Sequence, residues 1–129
     1  MHLDTLAELF ERVTQNSDRK NLSGCIKFKG ASRNGYGSIT KSISGKTTVY
    51  FTHRIVKMYT LKNINIGPCS HLCGVKLCCN PEHIVIESNR VNNLRKTCHA
   101  NNFCYGHELL NGERLTNCIV LVSELGTNL

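Results

Sequence analysis

Cysteine and histidine are the residues whose spacing points to chemistry, and they crowd into the stretch Cys69 to Cys98, CSHLCGVKLCCNPEHIVIESNRVNNLRKTC. Its thirty residues hold five of the eight cysteines and two of the six histidines, with a Cys-Asn-Pro turn and an Asn-rich basic segment. Cys73 and Cys78 are separated by four residues, and His83 follows after four more, across an Asn80-Pro81 step that can turn the chain back. Thiolates and imidazoles at such spacing suit zinc, which takes four of them at about 2.0–2.3 Å in a tetrahedron. The fourth ligand must come from elsewhere. Cys25, the only cysteine upstream of the stretch, is the first candidate and would tie the N-terminal half to the loop. A second set follows at Cys98, Cys104, His107 and Cys118. Alternatives stand beside both sets: Cys69 and Cys79 could replace an assigned ligand, His99 competes with His107, and His71 sits close enough to Cys73 to be a ligand itself.

The run Ser70-His71-Leu72-Cys73, followed by Cys78, Asn80-Pro81, His83, Asn92 and Cys98, resembles the His-Cys box of intron-encoded homing endonucleases, members of the HNH-like ββα-metal (His-Me finger) nuclease superfamily. The second ligand set matches in residue type and order, with different gaps. Counted from Cys25, the resemblance spans about 95 of 129 residues and leaves out residues 1–20 and the tail after Cys118. It implies an α+β chain: a small zinc-stapled ββα-metal nuclease fold with an antiparallel sheet, short helices and two structural zinc sites. It further implies that His71 is a general base, that Asn92 on the following helix binds one Mg²⁺, and that double-stranded DNA is cut to a 5′-phosphate and a 3′-hydroxyl.

The chemistry agrees with that division. Hydrolysing a phosphodiester needs a water made nucleophilic near neutral pH, and imidazole has a suitable pKa to take its proton. Positive charge is also needed at the phosphate and the leaving oxygen, which a divalent cation supplies as a Lewis acid. Mg²⁺ prefers oxygen and keeps several waters, so one amide oxygen from Asn92 beside phosphate oxygens suffices. A zinc closed by four protein ligands has no open position, so both zincs are read as structural. One family feature is missing: the sheet arginine near the leaving group falls on Thr48 in this register, with Lys46 and Arg54 as the available substitutes.

The elements that must position these residues can be read in order. Leu6, Leu9, Phe10 and Val13 recur at helical spacing and predict an amphipathic helix over 4–15, ended by Asn16-Ser17-Asp18. Period two follows, with Cys25, Lys27 and Lys29 alternating with Ile26 and Phe28, which predicts a strand with one apolar and one basic face. The Arg33-Asn34-Gly35 turn leads to strands over 36–43 and 47–52, joined at Ser44-Gly45-Lys46. Such a ribbon fits the DNA major groove and would bring Lys27, Lys29, Arg33, Lys41 and Lys46 near bases or phosphates, with Arg54 and Arg95 as further phosphate contacts. A helix is predicted over 53–61, and His53 at its start is given a structural or phosphate-contacting role. Ile84 to Ile86 reads as a strand, and Ser88 can cap a helix running to Lys96 that carries Asn92 and Arg95 on one face.

Length and composition bound the reading. A chain of 129 residues fits one domain: an N-terminal helix in 1–20, a DNA-contacting sheet in 24–52, a catalytic core in 69–98 and the second zinc cluster in 98–118. There is no Trp, and four Phe and four Tyr make a thin core that metal would supplement. No apolar run is long enough to cross a membrane, and residues 1–15 lack the basic start and apolar stretch of a signal peptide, so an intracellular site, nuclear or cytoplasmic, is expected. Eight cysteines there argue for metal rather than a scaffold of disulfides. The formal charge of +7 falls to about +5 once two three-thiolate zinc sites form, which still favours a polyanionic partner. Cutting both strands of a palindromic site suits a two-fold homodimer, although the short apolar tail from Ile119 to Leu129 argues against long exchanged arms. Two other readings share these features: a zinc-stapled DNA-binding module without catalysis, and a zinc-structured protein-interaction domain.

Overall fold

Helix α1, Leu3–Gln15, starts one residue earlier than its periodicity indicates and buries Leu6, Leu9 and Val13. Asp4 in its first turn and Arg12 in its last complement the helix dipole. The computed structural model describes residues 1–120. After α1, a three-stranded antiparallel sheet forms in the order β1 (Ser32–Arg33), β2 (Tyr36–Ile43) and β3 (Lys46–Phe51). Both of its turns carry two consecutive positive φ angles, 55° and 86° at Asn34-Gly35 and 52° and 80° at Ser44-Gly45. That is the type I′ geometry whose twist matches the flanking strands, and it sets Arg33 opposite Tyr36 and Ile43 opposite Lys46.

The period-two segment at 25–29 does not join this sheet. Its backbone is already paired elsewhere: Phe28 N donates to Leu77 O at 2.9 Å and Cys79 N to Ile26 O at 2.6 Å, while Lys29 N donates to Asn16 O and Asp18 N to Lys27 O, each at 2.8 Å. The alternation is real, since Phe28 is buried between exposed Lys27 and Lys29. Its partners are the end of α1 and the loop before Asn80, not the hairpin.

Helix α2, Thr52–Leu61, continues directly from β3 and packs Ile55, Val56 and Met58 against the apolar stripe of α1. Phe10 and Tyr59 stack across this seam with centroids 4.0 Å apart. Phe28, Ile39, Cys79 and Ile84 complete the core. Each fully buried aliphatic side chain contributes roughly 1.5–3 kcal/mol, so this one cluster must hold the N-terminal half.

The second half is a ββα unit. Strand β4 (Cys69–His71) pairs antiparallel with β5 (Ile84–Ile86), with His71 opposite Ile84, and helix α3 (Asn89–Asn101) follows. Between the strands, a 3₁₀ turn at Pro81–His83 is fixed by the Asn80 side chain, which accepts from Glu82 N at 3.0 Å and donates to Gly24 O at 2.7 Å. Ser88 caps α3 by accepting from Val91 N at 3.3 Å. The helix runs past Lys96 to Asn101 because nothing breaks it before Asn102, whose left-handed conformation (φ 54°) closes the last turn. Beyond it the chain returns to the unit, with Ile119 N donating to Leu72 O at 2.8 Å. The tail from residue 121 onward, including most of the apolar segment weighed for dimerisation, lies outside the described residues. Among the described residues no helix is long and apolar enough to cross a membrane.

Candidate active site and metal centres

Cys25, Cys73, Cys78 and His83 bring one ligand atom each to within 4.8 Å of one another. Cys25 enters through a turn built on Asn21, whose side-chain oxygen accepts from Cys25 N at 2.9 Å. Cys73 and Cys78 bracket the loop after β4, and His83 ends the 3₁₀ turn. His83 Nδ1 lies 3.7 Å from Cys25 Sγ and 3.6 Å from Cys78 Sγ. A tetrahedron with zinc bonds of about 2.0–2.3 Å has edges of about 3.3–3.8 Å, so the donor set fits a zinc ion. The Cys73 thiol donates towards Cys78, which draws the Cys78 thiol down and pushes that of Cys73 up, so Cys78 is the first of the pair to give up its proton.

The second cluster, Cys98, Cys104, His107 and Cys118, is equally tight, again within 4.8 Å. Here His107 uses Nε2, 3.5 Å from Cys98 Sγ and 3.3 Å from Cys118 Sγ. All eight cysteines are free thiols, so the clusters and not disulfides organise them. The competing ligands are placed elsewhere. His99 packs over Gly74, where an added Cβ would come within 2.6 Å of its ring. Cys79 lies in the core against Thr52 Oγ1 at 3.4 Å, and Cys69 faces Arg54.

Arg95 on α3 is buried, 1% exposed, and not free to reach a phosphate. Glu87 grips it with two contacts, 2.5 Å to Nε and 2.9 Å to Nη2, and Nη1 lies 3.4 Å from Cys118 Sγ. The spacing to Asn92 is as the helix dictates and both residues border one cleft, but the Arg95 guanidinium is taken up by Glu87 and Cys118. Arg95 therefore couples the end of β5 to the second cluster.

His71, at the end of β4, is buried and its Nε2 lies 3.0 Å from the carbonyl oxygen of Cys78. A carbonyl only accepts, so Nε2 carries the proton and Nδ1 keeps the lone pair. Burial holds the His71 pKa below its ordinary value, which favours the neutral ring that a base requires. His71 is thus tied through one carbonyl to a residue of the first cluster. It lines a cleft of about 50 Å³ together with Asn92, Tyr36, Lys76, Lys96 and His99. That space admits waters and a phosphate oxygen rather than a bulky organic ligand. The half-buried Asn92 offers one amide oxygen, and no carboxylate lines the cleft.

Residues 11–126 match a family described as the zinc-binding loop region of homing endonucleases, in the His-Me finger superfamily. The chain belongs to that family. Protein 2.8 of Escherichia phage T7 is 36% identical over 87 residues, which make up 66% of this chain and 54% of that protein. The chain therefore spans about half the length of this curated relative. No solved structure matches it.

Set against the homing-endonuclease pattern, the basic residues divide. Lys27, Arg33 and Lys46 are exposed. Lys41 is held by Glu8 and Lys29 lies 3.6 Å from Asp18, on exposed or half-exposed surface where such pairs contribute little. Arg54 is spent on backbone, donating to Ile66 O at 2.9 Å and Gly67 O at 2.8 Å. His53 does not face solvent: its ring packs 4.7 Å from that of His71 and 5.2 Å from Tyr36, and burial pushes its pKa down to about 3. The phosphate-contacting role weighed for His53 is therefore replaced by a structural one. Sequence reasoning passed over Tyr36 and Lys76 as lining residues. The only signal was that Lys76 sits between two ligands of one cluster, and Tyr36 directly after the hairpin turn.

Proposed function

We propose that this chain hydrolyses double-stranded DNA as a Mg²⁺-dependent endonuclease, with His71 as general base and Asn92 as the protein ligand of the cation. The observation that carries the reading is the His71 hydrogen bond to Cys78 O, which leaves Nδ1 as the acceptor on a ring lining the same cleft as Asn92. In this mechanism Nδ1 takes a proton from the attacking water, while Cys78 O holds the ring in orientation and stabilises the positive charge it acquires. Bound Mg²⁺ would supply Lewis-acid charge at the phosphate and the departing 3′ oxygen. Zinc held by Cys25, Cys73, Cys78 and His83 would brace the loop after β4, zinc held by Cys98, Cys104, His107 and Cys118 would brace the end of α3, and with four protein ligands neither ion would have an open position for bond making. Products are a 5′-phosphate and a 3′-hydroxyl. The hairpin β2–β3, with Lys46 and a polar Ser and Thr face, lies along the duplex, and two copies acting together would cut both strands.

One observation favours a second reading, a DNA-binding module without catalysis. Thr48 occupies the position expected for the sheet arginine, paired with Lys41 across the ladder, and the guanidinium of Arg54 is committed to backbone carbonyls. The two readings part on one comparison: Mg²⁺-dependent cleavage by wild type that disappears in His71→Ala, with both proteins retaining their zinc.

A further inference from the structure

Three basic side chains line the cleft beside His71 and Asn92: Lys76, Arg95 and Lys96. Arg95 is closed off by Glu87. Lys96 lies on an exposed face of α3 and has no hydrogen-bonded anchor among the described residues. Lys76 differs from both. It projects from the loop between the ligands Cys73 and Cys78, is exposed, and has no carboxylate partner among the described residues. Its Nζ lies 3.4 Å from Asn34 O and 5.1 Å from the centre of the Tyr36 ring. Its stem crosses Gly35, where an added Cβ would meet Lys76 Cδ at 3.0 Å. Tyr36 in turn lies 6.0 Å from the His71 ring and nearly parallel to it, so the surface that carries the ammonium is shared with the base. An ammonium has three donors, and one carbonyl uses one of them. The remaining two, over an aromatic face, are set out for an anion.

We propose that Lys76 binds the scissile phosphate, taking the place of the arginine that homing endonucleases carry on the sheet, with Tyr36 and Asn34 as its positioning residues. The inference rests on the nuclease reading above. Lys76 acts as a fixed cation: it donates hydrogen bonds to a non-bridging phosphate oxygen and transfers no proton. The position is available because the type I′ turn at Asn34-Gly35 and the first zinc loop meet at the cleft, so the cation arrives from the loop and not from the strand.

The test uses the full chain loaded with zinc, as wild type, Lys76→Ala and Lys76→Arg, with zinc content measured for each. Binding to duplex DNA without added Mg²⁺ and without chelator, over a series of salt concentrations, reads the phosphate contact alone. Lys76→Ala should reduce the slope of log affinity against log salt by about one ion, and an unchanged slope overturns the proposal. Single-turnover cleavage with Mg²⁺ reads the catalytic part. Lys76→Ala should slow it by about 10²–10³-fold at saturating enzyme, the loss typical of one pre-set donor to developing charge, and Lys76→Arg should recover most of the rate. A reduced slope with an unchanged rate would leave Lys76 as a binding contact and refute its place at the scissile phosphate. Wild type that binds without cutting sinks the nuclease reading, and the salt slope then still decides whether Lys76 holds a phosphate.

Discussion

Replacing Glu87 by Gln separates a structural Arg95 from a DNA-contacting one. Glu87 and Arg95 are 7% and 2% exposed at their side chains, so neither charge is screened by solvent. Gln keeps the shape and one acceptor but removes the negative charge, leaving a guanidinium buried beside Cys118. Removing one partner of a buried pair typically costs 3–5 kcal/mol, a large part of the stability of a domain this size. For a chain of this length that is a fall in Tm of roughly 10–20 °C. The double variant Glu87→Leu, Arg95→Met removes both charges and should regain much of the loss, because apolar pairs often replace buried ion pairs at little cost. Differential scanning calorimetry on zinc-loaded protein gives both numbers. A Glu87→Gln variant with wild-type melting and sharply weakened DNA binding would refute the reasoning, since it would mean that Arg95 faces the nucleic acid.

The other predictions concern the same scaffold. Cys73→Ser should release one zinc of two and melt the central loop, as seen by metal analysis and near-UV circular dichroism; wild-type melting would contradict a structural first cluster. Gly74→Ala should lower stability by about 1–3 kcal/mol in denaturant titration, because Gly74 has φ +71° and its Cβ would sit 2.6 Å from the His99 ring. A result within experimental error of wild type would show that His99 is free to move. Leu9→Ala, at a side chain with 0% exposure between α1 and α2, should cost about 2–5 kcal/mol while leaving zinc content at two, which places the loss in the apolar core and not in the metal clusters.

Much of this fold is local enough to read from the chain. The stripe of α1, the Asn34-Gly35 and Ser44-Gly45 turns, strands β2 and β5 and the Ser88 cap each rest on residues a few positions apart. Both ligand sets were also legible, because zinc restricts residue type and spacing more tightly than any packing rule. What escaped depends on long-range partners. The 25–29 segment has the alternation of a strand, but which edge it pairs with is decided by Leu77 and Cys79, some fifty residues away. Arg95 falls on the Asn92 face of α3, yet nothing in a helical pattern reveals that Cys118 returns to cover it. The proximity of His53 and Tyr36 to His71 arises where the sheet meets the ββα unit, a junction that no local signal announces. Lys76 was hidden for the same reason: a lysine in a loop looks like any surface charge until the hairpin turn is laid beneath it.

Cleavage of a randomised duplex-DNA library by wild type and His71→Ala, each with Mg²⁺ or with EDTA added just before the assay, tests the central claim most directly. A library is needed because a site-specific enzyme is silent on an arbitrary plasmid. The account predicts Mg²⁺-dependent cuts at defined sequences by wild type, 5′-phosphate and 3′-hydroxyl ends, and none from His71→Ala with its two zincs intact. Retention of the library by both proteins without cleavage by either would contradict it and leave a zinc-stapled DNA-binding module.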